Sequence, residues 1–252
     1  MNRRIATITG ASRGLGANAA LKLAERGTDL MLTYKEDVAA VTTVVARATD
    51  LGAKAVALQY DAGSTAGIPA LVAQVKETLT SQWGRDQFDF LVNNAGIGLN
   101  VAFADTTEAQ FDQIMNVHLK SVFFLTQSLV PLMVDGGRIL NVSSGLARFT
   151  LPGHSVYASM KGAVEVLTRY LAKELGPRRI SVNTLAPGAI ATDFGGGMVR
   201  DNREVNAMIA SSTALGRVGL SDDIGDLVAA LLSDDCRWVN AQRIEASGGI
   251  FI

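Results

Sequence analysis

With 252 residues, 48% of them hydrophobic and 19% charged, the chain has the balance of a globular protein with ample material for a core. Lys and Arg total 23 against 24 Asp and Glu, a formal net charge of -1, so no global field draws nucleic acid or anionic lipid. Cys236 is the only cysteine, which excludes an intrachain disulfide and a cysteine metal cluster and fits a reducing compartment, with cytoplasm the default.

In chain order, Arg3 and Arg4 precede an apolar stretch that Gly10 and Ser12 break too soon for a signal peptide. That stretch, Ile5 to Thr9, reads as the first strand. Further strands are expected at Leu30 to Tyr34, Lys54 to Gln59, Phe88 to Val92, Arg138 to Val142, Ser181 to Leu185 and Gln242 to Glu245. Between them, stretches such as Gly16 to Arg26 and Pro69 to Leu79 carry apolar residues at helical spacing. The longest apolar run, Ser121 to Val134, contains Gln127, Ser128 and Pro131, falls short of a bilayer span, and reads as a buried or interface helix. Ser155 to Leu175 reads as a helix with Val156, Met160, Val164, Leu167 and Leu171 on its apolar stripe and Gly176-Pro177 closing it. The Gly195-Gly196-Gly197 triplet is too short for a linker and reads as a hinge. Strands alternating with helices, the strands nearly continuous in apolar residues, call for one doubly wound α/β domain: a parallel seven-stranded sheet with helices on both faces.

The first strand runs directly into Gly10-Ala-Ser-Arg-Gly14-Leu-Gly16 and then a helix. Glycines there let the backbone turn tightly and approach a pyrophosphate, whose charge is met by free N–H groups at the helix N-terminus. The end of the second strand discriminates between dinucleotides: an acidic residue suits the ribose hydroxyls of NAD, basic ones the extra phosphate of NADP. Here stand Tyr34-Lys35, with Arg13 in the glycine loop, while Glu36 and Asp37 fall where the next helix begins. NADP(H) is the expected cofactor, and no His/Asp/Glu cluster offers a metal site.

Tyr157 and Lys161 lie four apart on one helix face. A phenol ordinarily titrates near ~10, and an ammonium beside it stabilises the phenolate, so the pair is expected to exchange a proton with a carbonyl or alcohol. Ligands in open α/β sheets bind beyond the carboxyl ends of the strands. Gly10, Asn93, Ser144 and Pro187-Gly188 follow the first, fourth, fifth and sixth expected strands, so these scattered motifs converge on one edge.

The motifs Gly10 to Gly16, Asn93-Asn94-Ala95-Gly96, Asn116, Ser144, Tyr157-Ala-Ser-Met-Lys161 and Pro187-Gly188 stand in the order and approximate spacing of the classical short-chain dehydrogenase/reductases. The resemblance covers essentially the whole chain, ending with Ser247-Gly248-Gly249. It implies a Rossmann-type fold with Tyr157 as general acid/base and Lys161 as its electrostatic partner and a ligand of the nicotinamide ribose. Ser144 would orient the substrate oxygen, with Ser143 structural, and Asn116 would hold a water linking Lys161 to solvent. Cofactor contacts are implied at Gly10, Ser12, Arg13, Gly14, Leu15, Gly16, Tyr34 and Lys35. Further contacts are implied at Asp61 (adenine edge), Asn93 with Ala95 and Gly96 (adenosine ribose), and Pro187, Gly188, Ile190 and Thr192 (nicotinamide amide).

The resemblance further implies a substrate lid at about 189–217, a pocket near His154, Leu146, Phe149 and Phe194, and a homotetramer; His118 is expected to pack on its helix. The expected activity is NADPH-dependent reduction of a small-molecule ketone or aldehyde. Its rivals are NAD-dependent oxidation of a secondary alcohol, reduction of a 3-oxoacyl carrier protein, and a nucleotide-binding regulator without catalysis. Against the carrier reading, Asp135 stands where a basic residue beside Arg178 is expected. Asn240-Ala241-Gln242 departs from the glycine that many relatives have at its middle position.

Overall fold

The computed structural model describes residues 3–252. Seven strands, β1 (Ile5–Ile8), β2 (Asp29–Tyr34), β3 (Ala55–Gln59), β4 (Phe88–Asn93), β5 (Met133–Val142), β6 (Ser181–Pro187) and β7 (Arg243–Ala246), form one parallel sheet in the order β3-β2-β1-β4-β5-β6-β7. Successive side chains of a strand point to opposite faces, and both faces here are apolar. Ala6, Leu30, Leu32, Phe90, Val92 and Leu140 pack on one side; Ile5, Met31, Leu91, Ile139 and Val182 pack on the other. The first side is covered by α1 (Gly14–Glu25), α2 (Val38–Asp50) and a later helix, Ser221–Leu231. The second is covered by α3 (Ile68–Thr78) and by residues of two further helices, Ser121–Leu129 and Ser155–Glu174. The chain reverses direction across the sheet between β1 and β4, which opens a crevice at their carboxyl ends.

The segment that completes the site is irregular. Helix α4 (Glu108–Met115) starts with a capping box in which Thr107 and Gln110 satisfy each other's backbone N–H groups. A π-helical turn, Asn116–Lys120, joins it to α5 (Ser121–Leu129). The apolar run to Val134 is therefore not one helix, as its composition led us to expect. Pro131 ends the helical pattern in a single 3-10 turn, Val130–Leu132, and Met133 already pairs with Phe88 as the start of β5. Beyond β5 come α6 (Ser155–Glu174), then α7 (Met198–Asp201), α8 (Arg203–Ser211) and α9 (Ser221–Leu231). Among the described residues, no helix is long and apolar enough to cross a membrane.

The departure at Ala241 has a structural cost. Its φ of +60° lies in the left-handed region, which a Cβ disfavours by roughly 1–2 kcal/mol, and its N–H is committed to Val182 O at 2.9 Å, so the turn cannot relax. Replacing it with glycine relieves that strain and gives back part of the gain as unfolded-chain entropy. We expect Ala241→Gly to stabilise the protein by up to about 1 kcal/mol, read as a higher urea midpoint; a lower one contradicts the strain argument.

Candidate active site

The loops after β1, β4, β5 and β6 meet at one edge of the sheet. Gly10 has φ +64°, and a Cβ there would lie 2.8 Å from Ala95 Cα, so the first loop and the Asn94-Ala95-Gly96 loop touch through backbone. Gly16 has no room for a side chain either: its Cβ would come within 2.4 Å of Gly10 O and 2.5 Å of Asn94 Nδ2. Asn94 binds the two loops together, donating to Thr9 O (2.9 Å) and Gly10 O (3.1 Å), while Thr9 Oγ1 accepts from the N–H groups of Asn94 and Ala95, both at 2.9 Å. The sequence placed Asn94 in the motif without this task. The signal was present: a polar residue directly after a buried strand must find backbone partners.

At the start of α1, Arg13 is the N-cap but its side chain makes no capping hydrogen bond. The first N–H groups of Gly14, Leu15 and Gly16 therefore have no intrahelical acceptor, the arrangement that receives an anion. Ser12 and Leu15 are half-buried and Arg13 exposed, making no ion pair among the described residues. Tyr34 is half-buried at the end of β2. Lys35 beyond it is exposed and pairs with Asp61 (3.3 Å) and Glu36 (3.5 Å). Such exposed pairs contribute little and leave the ammonium available to a stronger anion. Asp61 also closes a turn, accepting from Gly63 N–H at 2.7 Å.

Across the crevice, a Cβ on Gly188 would lie 2.8 Å from Ser247 Cα, tying the end of β6, Pro187, to the Ser247-Gly248-Gly249 turn. Ile190 bridges to Gly219, and buried Thr192 packs against Gly14, so the segment after β6 faces the glycine loop. Asn93 is buried at the end of β4. Asn93 turns its amide into the sheet, donating to Asn141 Oδ1 (2.8 Å) and Thr126 Oγ1 (3.0 Å). The strand's alternation points it inward, so only its backbone borders the crevice.

Ser144, Tyr157 and Lys161 are all buried. Ser144 Oγ accepts from Leu146 N–H (3.2 Å), and its hydroxyl is also the hydrogen-bond partner of the Tyr157 phenol. Ser143 is structural: Oγ donates to Glu165 Oε1 at 2.7 Å. Lys161 Nζ lies 5.6 Å from the centre of the Tyr157 ring and donates to Val142 O at 2.7 Å. We expected Lys161 to make the phenol acidic. In the structure burial dominates, pushing Tyr157 up to about 12 with partial relief from its hydrogen bond with Ser144, and pushing Lys161 down to about 7. The spacing of the two residues carried no information about how deeply both are buried.

Asn116 and His118 both lie on the π-turn. Asn116 is half-buried, and its side chain makes no hydrogen bond with the described residues. His118 is 1% exposed, its Nε2 lies 2.8 Å from Ile97 O, and its ring stands edge-on to Tyr157 with centroids 5.1 Å apart. Burial and the Lys161 charge hold the imidazole neutral, down to about 3. It is thus the π-turn residue that reaches the catalytic pair, rather than packing only on its own helix.

A charged ladder backs the serine loop, and the sequence reading missed it. Glu165 accepts from Arg243 Nε (2.7 Å) as well as Ser143, and Arg243 and Arg148 both hold Glu245, whose carboxyl is drawn down to about 2 chiefly by Arg148. Glu165 lies one turn beyond Lys161, a spacing that could have flagged it. Of the residues expected around a substrate, Phe194 lies 6.0 Å from the Tyr157 ring and Leu146 packs beside Tyr157 and Met160. His154 is tied to Leu99 O at 3.2 Å, and Phe149 packs at a tilt against Phe251, with centroids 5.0 Å apart. Arg178 is consumed by Asp135 (2.8 Å) and by Val130 O.

A family model described as enoyl-(acyl carrier protein) reductase matches residues 10–250. The chain belongs to the short-chain dehydrogenase/reductase family. It is 35% identical over 257 residues to a tetrahydroxynaphthalene reductase of Pestalotiopsis fici, covering 98% of this chain and 91% of that one. Among solved structures, a promiscuous reductase named for keto-reduction at C1 in lugdunomycin biosynthesis superposes with a TM-score of 0.94 at 36% identity, covering 99% of this chain and 98% of the other. An angucycline C-6 ketoreductase with bound NADP gives a TM-score of 0.93 at 35% identity, covering 98% and 95%. The chain is accordingly an oxidoreductase of this family, with the doubly wound fold its sequence led us to expect.

Proposed function

We propose that the protein reduces a ketone with NADPH, with Tyr157 as the proton donor. The observation that carries this reading is the buried Ser144–Tyr157–Lys161 group standing across the crevice from a glycine loop whose helix N-terminus is uncapped. The nicotinamide cofactor supplies hydride to the carbonyl carbon. Its pyrophosphate would be held by the N–H groups of Gly14, Leu15 and Gly16, its 2′-phosphate by Arg13 and Lys35, and its nicotinamide end by Lys161 and the Pro187 to Thr192 segment.

Tyr157 stays protonated at neutral pH and gives its proton to the substrate oxygen, while the Ser144 hydroxyl, turning from Tyr157 to the substrate, supports the charge developing there. Once the phenolate forms, the ammonium of Lys161 gains an opposite charge, so the two shifts imposed by burial relax together. The 189–217 segment acts as the lid; Gly195, Gly196 and Gly197 all hold positive φ and leave it free to hinge.

A flat, fused-ring ketone is the substrate class we favour. Phe194 and Tyr157 supply two aromatic walls, and relatives are named for reduction of hydroxynaphthalenes, versicolorin and angucyclines. Carrier-protein substrates fit less well because Arg178 is paired. A homotetramer would cover the exposed Phe111, Phe123, Phe124 and Tyr170. The deciding assay is NADPH oxidation across a panel of aromatic and aliphatic ketones; inactivity on all of them, despite NADPH binding, refutes the reductase reading.

Cofactor choice has its own test. Arg13→Met and Lys35→Met should each weaken NADPH binding about 10-fold, the worth of one charge-assisted contact, and leave NADH affinity unchanged. Equal loss for both cofactors removes the 2′-phosphate assignment.

A further inference from the structure

The C-terminal tail joins the lid to the serine loop. Ser247-Gly248-Gly249 turns the chain from β7 onto the end of the lid, where a Cβ on Gly248 would lie 2.9 Å from Thr213 Cγ2 and one on Gly249 2.9 Å from Ala214 Cβ. Glycine is required twice over, because both positions also hold positive φ, +63° and +76°. The tail backbone then pairs with residues 212–215: Ala214 N–H donates to Gly249 O (3.1 Å), Leu215 N–H to Gly248 O (3.1 Å) and Phe251 N–H to Ser212 O (3.0 Å). Ile250 is buried with Ile209 of α8 and Val218, and Phe149 of the serine loop packs against them.

Arg148 fastens these parts together. It follows the single turn Gly145–Ala147 after Ser144, and four of the five N–H donors of its guanidinium are used. Nε and Nη2 fork onto both oxygens of Glu245 at 2.8 and 2.6 Å, Nη2 also reaches Ile250 O (2.8 Å), and Nη1 reaches Phe251 O (3.2 Å). The guanidinium lies 5.4 Å from the centre of the Phe149 ring, and that ring covers Gly145, whose Cβ would come 2.6 Å from Phe149 Cε1. A shift of Arg148 or Phe149 is therefore passed to the residue next to Ser144. Partly exposed, the ion pair adds little to stability, but a fork that spans three segments fixes their relative placement.

We propose that Arg148 is a positioning residue that couples the far end of the lid to Ser144. This rests on the reductive reading above. The lid then has one end free to hinge at Gly195–Gly197 and the other held, through the tail and Arg148, in register with the hydroxyl that supports the substrate oxygen. Glu245 is the fixed point of the fork, since Arg243 Nη1 and Ser247 Oγ both donate to it at 2.7 Å and Arg243 Nη2 also approaches Ser144 O (3.4 Å). In this role Arg148 touches neither substrate nor cofactor, and no proton passes through it. It governs how a bound ketone is oriented, so its effect falls on kcat and the ketone KM and not on cofactor affinity.

The test uses the full-length protein with NADPH and a ketone that the wild type reduces, with rates counted per NADPH-binding site. Arg148→Met keeps a long side chain and removes the fork. It should lower kcat about 10-fold and raise the KM for the ketone about as much, with NADPH affinity, followed by fluorescence, unchanged. A lower urea midpoint with wild-type kcat and KM is the mark of a merely structural tie and overturns the proposal. So does a fall in NADPH affinity that matches the fall in kcat. Arg148→Lys keeps a charge beside Glu245 but cannot fork to the tail, and it should show the same split at about threefold. That variant decides where Arg148→Met does not fold.

A wild type that reduces no ketone is a failure of the reductase reading, and amide hydrogen exchange tells it apart because it needs no turnover. Two sets of N–H groups report: Ala147 and Phe149, bonded to Ser144 O and Gly145 O, and Ala214, Leu215 and Phe251, bonded between tail and lid. In the Arg148 variants both sets should exchange at least about 10-fold faster. Loosening of one set alone, or of neither, overturns the coupling without reference to activity.

Discussion

Tyr157→Phe is expected to lower kcat for ketone reduction by at least about 1,000-fold while leaving NADPH affinity unchanged. The substitution deletes one oxygen and keeps the ring, so the contacts with His118 and Phe194, at 5.1 and 6.0 Å between centroids, survive. Protein stability should therefore hold or rise slightly, since the hydroxyl is buried and its partner Ser144 can bond elsewhere. What is lost is the proton at the substrate oxygen. Steady-state rates, NADPH fluorescence and a urea curve on the same preparation separate these quantities. Undiminished kcat with intact binding would remove Tyr157 from the proton-donor role, and with it the reaction we assign.

Gly16→Ala should weaken NADPH binding about 100-fold or more and destabilise the fold by ~1–3 kcal/mol, although alanine is the better helix former by roughly 1 kcal/mol. The contacts decide which effect wins. The new methyl would meet a carbonyl oxygen at 2.4 Å and the Asn94 amide at 2.5 Å, both fixed by the bonds that join the loops. Relief requires Gly10 to move away from α1, which dismantles the turn meant for the pyrophosphate. Gly162→Ala in α6 is the control, because nothing lies within 4 Å of its Cβ, and it should stabilise by up to about 1 kcal/mol. Calorimetry and NADPH titration of both variants test the contrast; two variants behaving alike would show that propensity, not packing, governs Gly16.

The sheet was legible because a parallel strand covered on both faces must be apolar at nearly every position, and most expected strands end within a residue or two of the observed ones. The run to Val134 misled for the same reason: Val130, Leu132 and Met133 look alike in a helix and in a strand, and only Pro131 marks the change. Around the site, the glycines were readable from the turns they permit. The identity of the residue beside the catalytic pair was not. A π-turn inserts one extra residue per turn, so helical spacing loses its phase at Asn116–Lys120, and the side chain that faces inward becomes His118. Burial set the remaining surprise, since four-residue spacing reports that Tyr157 and Lys161 are neighbours and says nothing of the medium around them.

The sheet order β3-β2-β1-β4-β5-β6-β7 also bears on how the protein is made. Each strand pairs only with segments reached through a helical crossover, and on one side β1 must await β4, more than eighty residues downstream in Ile8–Val92 register. Ribosome-bound or refolding chains therefore assemble their helices early and their central strands late, a slow route by topology alone. Because the site is gathered from loops after four different strands and from α6, refolding chains contain every residue of the site before they have its geometry. Recovery of activity during refolding should then follow the last and slowest kinetic phase, well behind the return of helical circular dichroism.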